Sequence, residues 1–192
     1  AANDSVSLTL NNVTAGTTTI TGAVETLNVV SSSSANSTQL DSTATTLNIS
    51  GDQDITLAVA STVLDNAATI SAADATGAVT LASDAGAGVA VTVTGGAGAD
   101  ALTLTGTNTA TDTVNGGLGA DRIIFAADLA DADTVNGGDG EDTLVAIDAD
   151  IDLLTVANNI SGFEVLEFSD QIDGTVTLAT VQSGLSEVTL AD

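Results

Sequence analysis

Three segments of the chain spell one pattern: TVTGGAGADAL at 92–102, TVNGGLGADRI at 113–123 and TVNGGDGEDTL at 134–144. Their first glycines, Gly95, Gly116 and Gly137, each stand 21 residues from the next. Nothing else in the sequence constrains the fold as tightly, because internal repetition at a fixed interval of this size marks a coil whose turns stack. A finer element, Asp-x-aliphatic, recurs at Asp100, Asp112, Asp121, Asp133 and Asp142, in steps of 12, 9, 12 and 9 residues. That alternation predicts a flattened coil with two unlike sides. One side carries the tight Gly-Gly-x-Gly-x-Asp stretch, and the other a longer bend, 105–112 or 126–133.

The rest of the chain supplies the strands such a coil needs. Short runs such as SVSLTL (5–10), TTTIT (17–21), ETLNVV (25–30), TTLNIS (45–50), DITLAVA (54–60) and AVTLA (78–82) alternate apolar residues with Thr or Ser. VAVTV (89–93), ALTLT (101–105), RIIFA (122–126), TLVAI (143–147), FEVLEF (163–168), TVTLA (175–179) and EVTLA (187–191) continue the series. A period of two is what a half-buried strand requires. Helical turns or lateral loops are expected only within 60–75 and 125–133. With Phe125, Phe163 and Phe168 as the sole aromatic residues, the interior must be thin and aliphatic, and the three Phe are expected inside it. The fold class read from these features is all-β, a parallel β-solenoid or β-roll. It divides into a β-rich segment at 1–90, the repeat region at 91–147 and a C-terminal β segment at 148–192.

Charge narrows the partners. Twenty-six acidic residues face a single basic one, Arg122, for a formal net charge of −25. Nucleic acid is excluded as a partner, since no cationic surface exists to displace counterions from phosphates. Anionic membrane surfaces are excluded for the same reason, and no apolar run is long enough to span a bilayer. A hydrophobic fraction of 43% separates the chain from disordered polyacids. The simplest neutralising partner is a cation. Equivalent aspartates in adjacent coils stack about 4.8 Å apart, where two carboxylates repel by about 1 kcal/mol in water and more when shielded. A hard divalent ion set between them, held by carboxylates and by main-chain carbonyls that glycine lets curl inward, converts that repulsion into a cross-link.

The motif GGxGxD followed by x-aliphatic-x resembles the calcium-binding nonapeptide repeat of RTX proteins secreted by Gram-negative bacteria. Three copies carry the resemblance: Gly95, Gly96, Gly98 and Asp100; Gly116, Gly117, Gly119 and Asp121; Gly137, Gly138, Gly140 and Asp142. It implies a β-roll in which Ca²⁺ sits between successive same-side turns, with at least two sites, Asp100 with Asp121 and Asp121 with Asp142. RTX repeats run in tandem every nine residues or so, whereas the interval of 21 here lengthens each opposite-side bend. Asp112 and Asp133, which precede Thr-Val-Asn, form a candidate second column on that longer side. Asp52, Asp54, Asp74, Asp84 and the DADID run (148–152) read as solvated turn residues, and Asn115 and Asn136 as turn residues beside the glycines.

The flanks GAVETLNV (22–29), TTLNISGDQDITLA (45–58), ISAADATGAVTLA (70–82) and ISGFEVLEFSD (160–170) resemble RTX-type surface-layer proteins of the Caulobacter-like kind, exported by type I secretion. Catalysis is not expected. Without His, Cys or Lys a serine nucleophile has no ordinary base and zinc has no usual ligand set. Carboxylate-only glycoside hydrolysis needs a sugar platform that three buried Phe do not offer. The expectation is a calcium-stabilised, extracellular structural protein that self-assembles as a surface-layer or surface-filament subunit. The alternatives are an RTX segment of a secreted adhesin and the secretion module of an exoenzyme. The partners expected are further copies of the chain in a lattice or filament, with cell-surface polysaccharide engaged through parts outside this sequence.

Overall fold

The computed structural model describes residues 3–58, 61–83, 89–105, 110–127, 129–154, 159–173, 176 and 184–190. The chain winds as a parallel β-solenoid. Among the described residues strands alternate between two sheets, one to each per coil, except that the last two in sequence both belong to the second sheet. The first sheet has eight strands: β1 (Ser5–Asn11), β3 (Thr26–Ser32), β5 (Thr46–Gly51), β7 (Thr69–Ala75), β9 (Thr92–Thr94), β11 (Thr113–Leu118), β13 (Thr134–Asp139) and β15 (Ile160–Ser161). The second has nine: β2 (Thr17–Thr19), β4 (Asn36–Asp41), β6 (Ile55–Leu57), β8 (Val79–Ser83), β10 (Ala101–Leu104), β12 (Arg122–Phe125), β14 (Thr143–Ala146), β16 (Val165–Phe168) and β17 (Glu187–Leu190). Every pairing between neighbouring strands is parallel and joins consecutive coils.

Period-two alternation explains which side of each strand faces inward. In the first sheet Leu27, Leu47, Ile70, Val93, Val114 and Val135 pair in register and are almost fully buried. Leu81, Leu102, Ile123, Leu144 and Leu166 do the same across from them. Each such side chain withdrawn from water contributes about 1.5–3 kcal/mol. Phe125, Phe163 and Phe168 are fully buried, as the composition requires.

The outward positions of the first sheet form two columns. Ser5, Thr26, Thr46, Thr69, Thr92, Thr113 and Thr134 pair in register along the first. Two residues further along each strand, Ser7, Asn28, Asn48, Ser71, Thr94, Asn115, Asn136 and Ser161 make the second. Asn115 and Asn136 are therefore outward strand residues, not turn residues, because the pairing of β11 with β13 runs on through the glycines to Leu118 and Asp139.

Among the described residues two short helices interrupt the coil, α1 (Thr62–Asn66) and α2 (Asp148–Leu153). The first falls inside the 60–75 window, but residues 69–75 of that window are strand β7. The second takes the DADID run, read from sequence as solvated turn, and buries Asp148 and Ile151. The bend at 125–133 holds no helix among its described residues. Asp84 and most of the TVTLA run at 175–179 lie outside the described residues.

Candidate functional site

The bend of the repeat is narrower than the motif implies. Gly116 and Gly117 belong to β11, and Gly137 and Gly138 to β13, which leaves Gly119–Ala120 and Gly140–Glu141 to reverse the chain. Glycine is needed at Gly116 for space. A Cβ there would run into the carbonyl oxygen of Gly137 in the next coil and Oδ2 of Asp121 in its own. Gly117 is needed for conformation, with φ at +109°.

The aspartates that follow point into the solenoid. Asp100, Asp121 and Asp142 are 2%, 1% and 0% exposed, and their placement immediately before β10, β12 and β14 stacks them in one column. Each Oδ1 accepts a main-chain N–H from the equivalent residue one coil earlier. Val79 donates to Asp100, Asp100 to Asp121 and Asp121 to Asp142, all at 2.8 Å. Glu164 closes the series by accepting from Asp142, also at 2.8 Å. The reason is geometric. At the first residue before a strand the neighbouring coil is still turning and offers no carbonyl, so a carboxylate supplies the missing acceptor. A charged acceptor makes these the stronger kind of hydrogen bond.

The second column has the same construction. Asp112 and Asp133 are each 1% exposed, Val91 donates to Asp112 Oδ1, and Asp112 donates to Asp133 Oδ1, both at 2.8 Å. Asp133 Oδ2 additionally accepts from Ala130, inside the longer bend. A related bond appears nearer the N-terminus, where Asp54 Oδ1 accepts from Ala78 at 2.9 Å. Asp54 is thus bound to the neighbouring coil and not simply solvated.

Within the first column the aspartates differ at the second carboxylate oxygen. Asp100 Oδ2 accepts from Gly96 at 2.6 Å, whereas Oδ2 of Asp121 and of Asp142 is buried with no hydrogen-bond partner. Orphaned buried acceptors are costly, and those on a charged group most of all. Burial, with smaller contributions from Asp100 and Asp142, pushes the Asp121 carboxyl up to about 6. Burial raises Asp100, Asp133 and Asp142 as well.

The donor set here is oxygen only, buried carboxylate beside glycine main chain, which fits a hard cation and no soft one. Asp100 and Asp121 would supply carboxylate to one such ion, and Asp121 and Asp142 to the other, with glycine carbonyls completing the shell. Among the described residues no group of three or more acidic side chains converges, so carbonyls would carry much of any coordination. Outside this column the glycines leave a shallow open trough of about 430 Å³ on the first sheet, bordered by Thr94, Asn115, Leu118, Asn136 and Asp139. No helix among the described residues is long and apolar enough to cross a membrane.

These features define a class, a two-sheet parallel β-solenoid with inward-facing aspartate columns at both of its bends. No family model, curated protein or solved structure matches the chain.

Proposed function

We propose that the chain is a structural segment of an extracellular solenoid, stiffened by calcium at the glycine bends, that assembles with further copies into a surface layer or filament. The observation that carries this reading is the pair of unpartnered, buried oxygens, Asp121 Oδ2 and Asp142 Oδ2, stacked beside glycine main chain. A divalent ion satisfies both and offsets the burial, and the smaller repulsion from Asp100 and Asp142, that raise the Asp121 carboxyl. The remaining inventory supports scaffolding. The chain has no His, Cys or Lys, and its one Arg is engaged with Glu167.

The same reading predicts a dependence on compartment. Where free calcium is scarce the charged column opposes stacking. At the millimolar calcium typical outside cells, weak sites fill and their binding free energy adds to folding. Circular dichroism and thermal melting of the full chain, titrated with calcium and then chelator, test the metal. A calcium-dependent rise in melting temperature is expected, and a curve indifferent to calcium overturns it. Negative-stain microscopy of the calcium-loaded chain tests assembly. Sheets or filaments are expected, and a monodisperse monomer at high concentration rejects the assembly.

A further inference from the structure

We propose that the outer face of the first sheet is an ice-binding surface, built by the threonine column from Ser5 to Thr134 and the parallel column from Ser7 to Ser161. Three observations converge on it. The first column keeps strict register through seven strands and the second through all eight, and the one irregularity between β5 and β7 falls beyond Asn48. Every position in them is exposed or half-buried, so both columns face solvent. Neither contains a charge, in a chain with 26 acidic residues.

The second sheet, made by the same chain at the same spacing, serves as an internal comparison. Its matching outward column runs Ser37, Thr56, Thr80, Ala101, Arg122, Thr143, Val165, Glu187, hydroxylic over its first three positions and then mixing charge, methyl and hydroxyl. Generic strand propensity would treat both sheets alike. Only one is kept uniform and neutral.

The chemistry selects the occupant. Rungs repeat at about 4.8 Å, and residues i and i+2 of a strand lie roughly 6.6 Å apart. This two-dimensional net approximates the spacing of water oxygens on faces of hexagonal ice. Hydroxyl and amide groups both donate and accept, so each can stand in for a lattice water in either proton orientation. A carboxylate, acceptor-only and tightly hydrated, cannot. Threonine is β-branched and stiff about χ1, which fixes its hydroxyl and methyl before contact and lowers the entropic cost of ordering. Asn48 Nδ2 donates to Asn28 Oδ1 at 2.8 Å, which ties these two members of the second column together across one pair of coils. A second copy of the chain fits less well. Eight rungs about 4.8 Å apart, two columns wide, give roughly 500 Å², short of the ~800 Å² per partner of a stable interface.

The test uses the full chain, in calcium and in chelator, with partition into a slowly grown ice shell and crystal shaping by nanolitre osmometry as readouts. Wild type is expected to enter the ice and facet the crystals. Thr113→Tyr, and independently Thr92→Asp, should reduce both to the level of an inert protein, while Thr80→Tyr on the second sheet keeps them. Circular dichroism confirms that each variant is folded. A folded wild type excluded from ice overturns the inference, as does equal loss from Thr80→Tyr. A concentration-dependent dimer broken by Thr113→Tyr, without ice entry, also overturns it and assigns the face to self-association. Ice entry without any calcium response would keep this inference and remove the calcium reading, and the reverse result would do the opposite.

Discussion

The main-chain N–H of Asp100 donates to Oδ1 of Asp121, one coil later, at 2.8 Å. This bond makes the repeated aspartate a strand-start acceptor whether or not a metal is bound, and in Asp121 and Asp142 the second oxygen is left for an ion. The two roles separate by substitution. Asp121→Ala leaves the buried Asp100 N–H unpaired and is expected to cost about 1–3 kcal/mol. Asp121→Asn keeps an Oδ1 acceptor and removes the charge. In chelator it should melt at or above wild type, and it should lose the response to calcium. Thermal melts of both variants with and without calcium check this, and an Asn variant as damaged as Ala in chelator contradicts it.

The order of damage along the column depends on metal. Asp100 accepts two main-chain hydrogen bonds, from Val79 and Gly96, whereas Asp121 accepts one. In chelator, Asp100→Ala should therefore be the more harmful. With calcium, Asp121 lies in both inter-coil gaps and its loss should become the worst of the three. Denaturant midpoints under the two conditions read the reversal. An unchanged order means no ion is shared.

Stability should fall as pH rises in the metal-free protein. The Asp121 carboxyl moves from its ordinary 3.8 up to about 6 on folding, so between those values the folded state binds more protons than the unfolded one. The slope of unfolding free energy with pH is then negative. Asp100, Asp133 and Asp142 move in the same direction. A chelated sample should melt higher near pH 5 than near pH 7, the reverse of ordinary acid denaturation. Calcium competes with the proton, so its stabilising effect should fade as pH drops through about 6. A chelated melting temperature that climbs from about pH 5 to 7 contradicts the burial of these carboxyls.

How much of this was legible follows from which signals are periodic. The 21-residue interval placed Asp100, Asp121 and Asp142 in one column, and the pairing of Ala101 with Arg122 and of Arg122 with Thr143 puts them there. The interval carries no information on where a side chain points. Asp before a strand reads as a turn residue, so the capping bond from one coil to the next stayed hidden. Strand β4 was missed for a related reason. Its inward positions include Asn36 and Thr38, polar residues that break the apolar alternation. Asn36 is satisfied inside by Val13 N, Ser31 Oγ and Ser34 O, a solution no pattern of hydrophobicity encodes. In β7 the run ISAADA lacks the β-branched density of a strand, and the in-register neighbours β5 and β9 impose the conformation.

Close approach at the bend predicts a sharp contrast between glycines. Gly116→Ala places a methyl against the Gly137 carbonyl and the Asp121 carboxylate, and main chain on one side cannot yield. Gly22, at φ +118°, faces open space where a methyl would stand, so Gly22→Ala meets only backbone strain of about 1–3 kcal/mol. Gly116→Ala should be the more destabilising, to the point of losing the cooperative melt, while Gly22→Ala still folds. Similar melting temperatures would show that the coils can separate locally.

Arg122, the one basic residue, reaches from β12 across β14 to β16 and holds Glu167 with two 2.7 Å bonds, Nη1 to Oε2 and Nη2 to Oε1. The paired hydrogen bonds raise the guanidinium and lower the Glu167 carboxyl from their ordinary values. Both side chains are partly exposed, at 41% and 29%, so solvent and salt screen the pair. Its contribution should be about 0.2–1 kcal/mol despite the bidentate geometry. The sign with pH is opposite to that of the aspartate column. Glu167 is lowered, so its stabilisation is complete above 4.5 and is lost as pH falls through the folded value. A double-mutant cycle of Arg122→Ala and Glu167→Gln, run at low and high salt, measures the coupling. A value that shrinks with salt fits a surface clamp spanning two inter-strand spacings. A coupling of several kcal/mol, insensitive to salt, would mean that the second sheet's outer face is shielded by a neighbouring chain in solution.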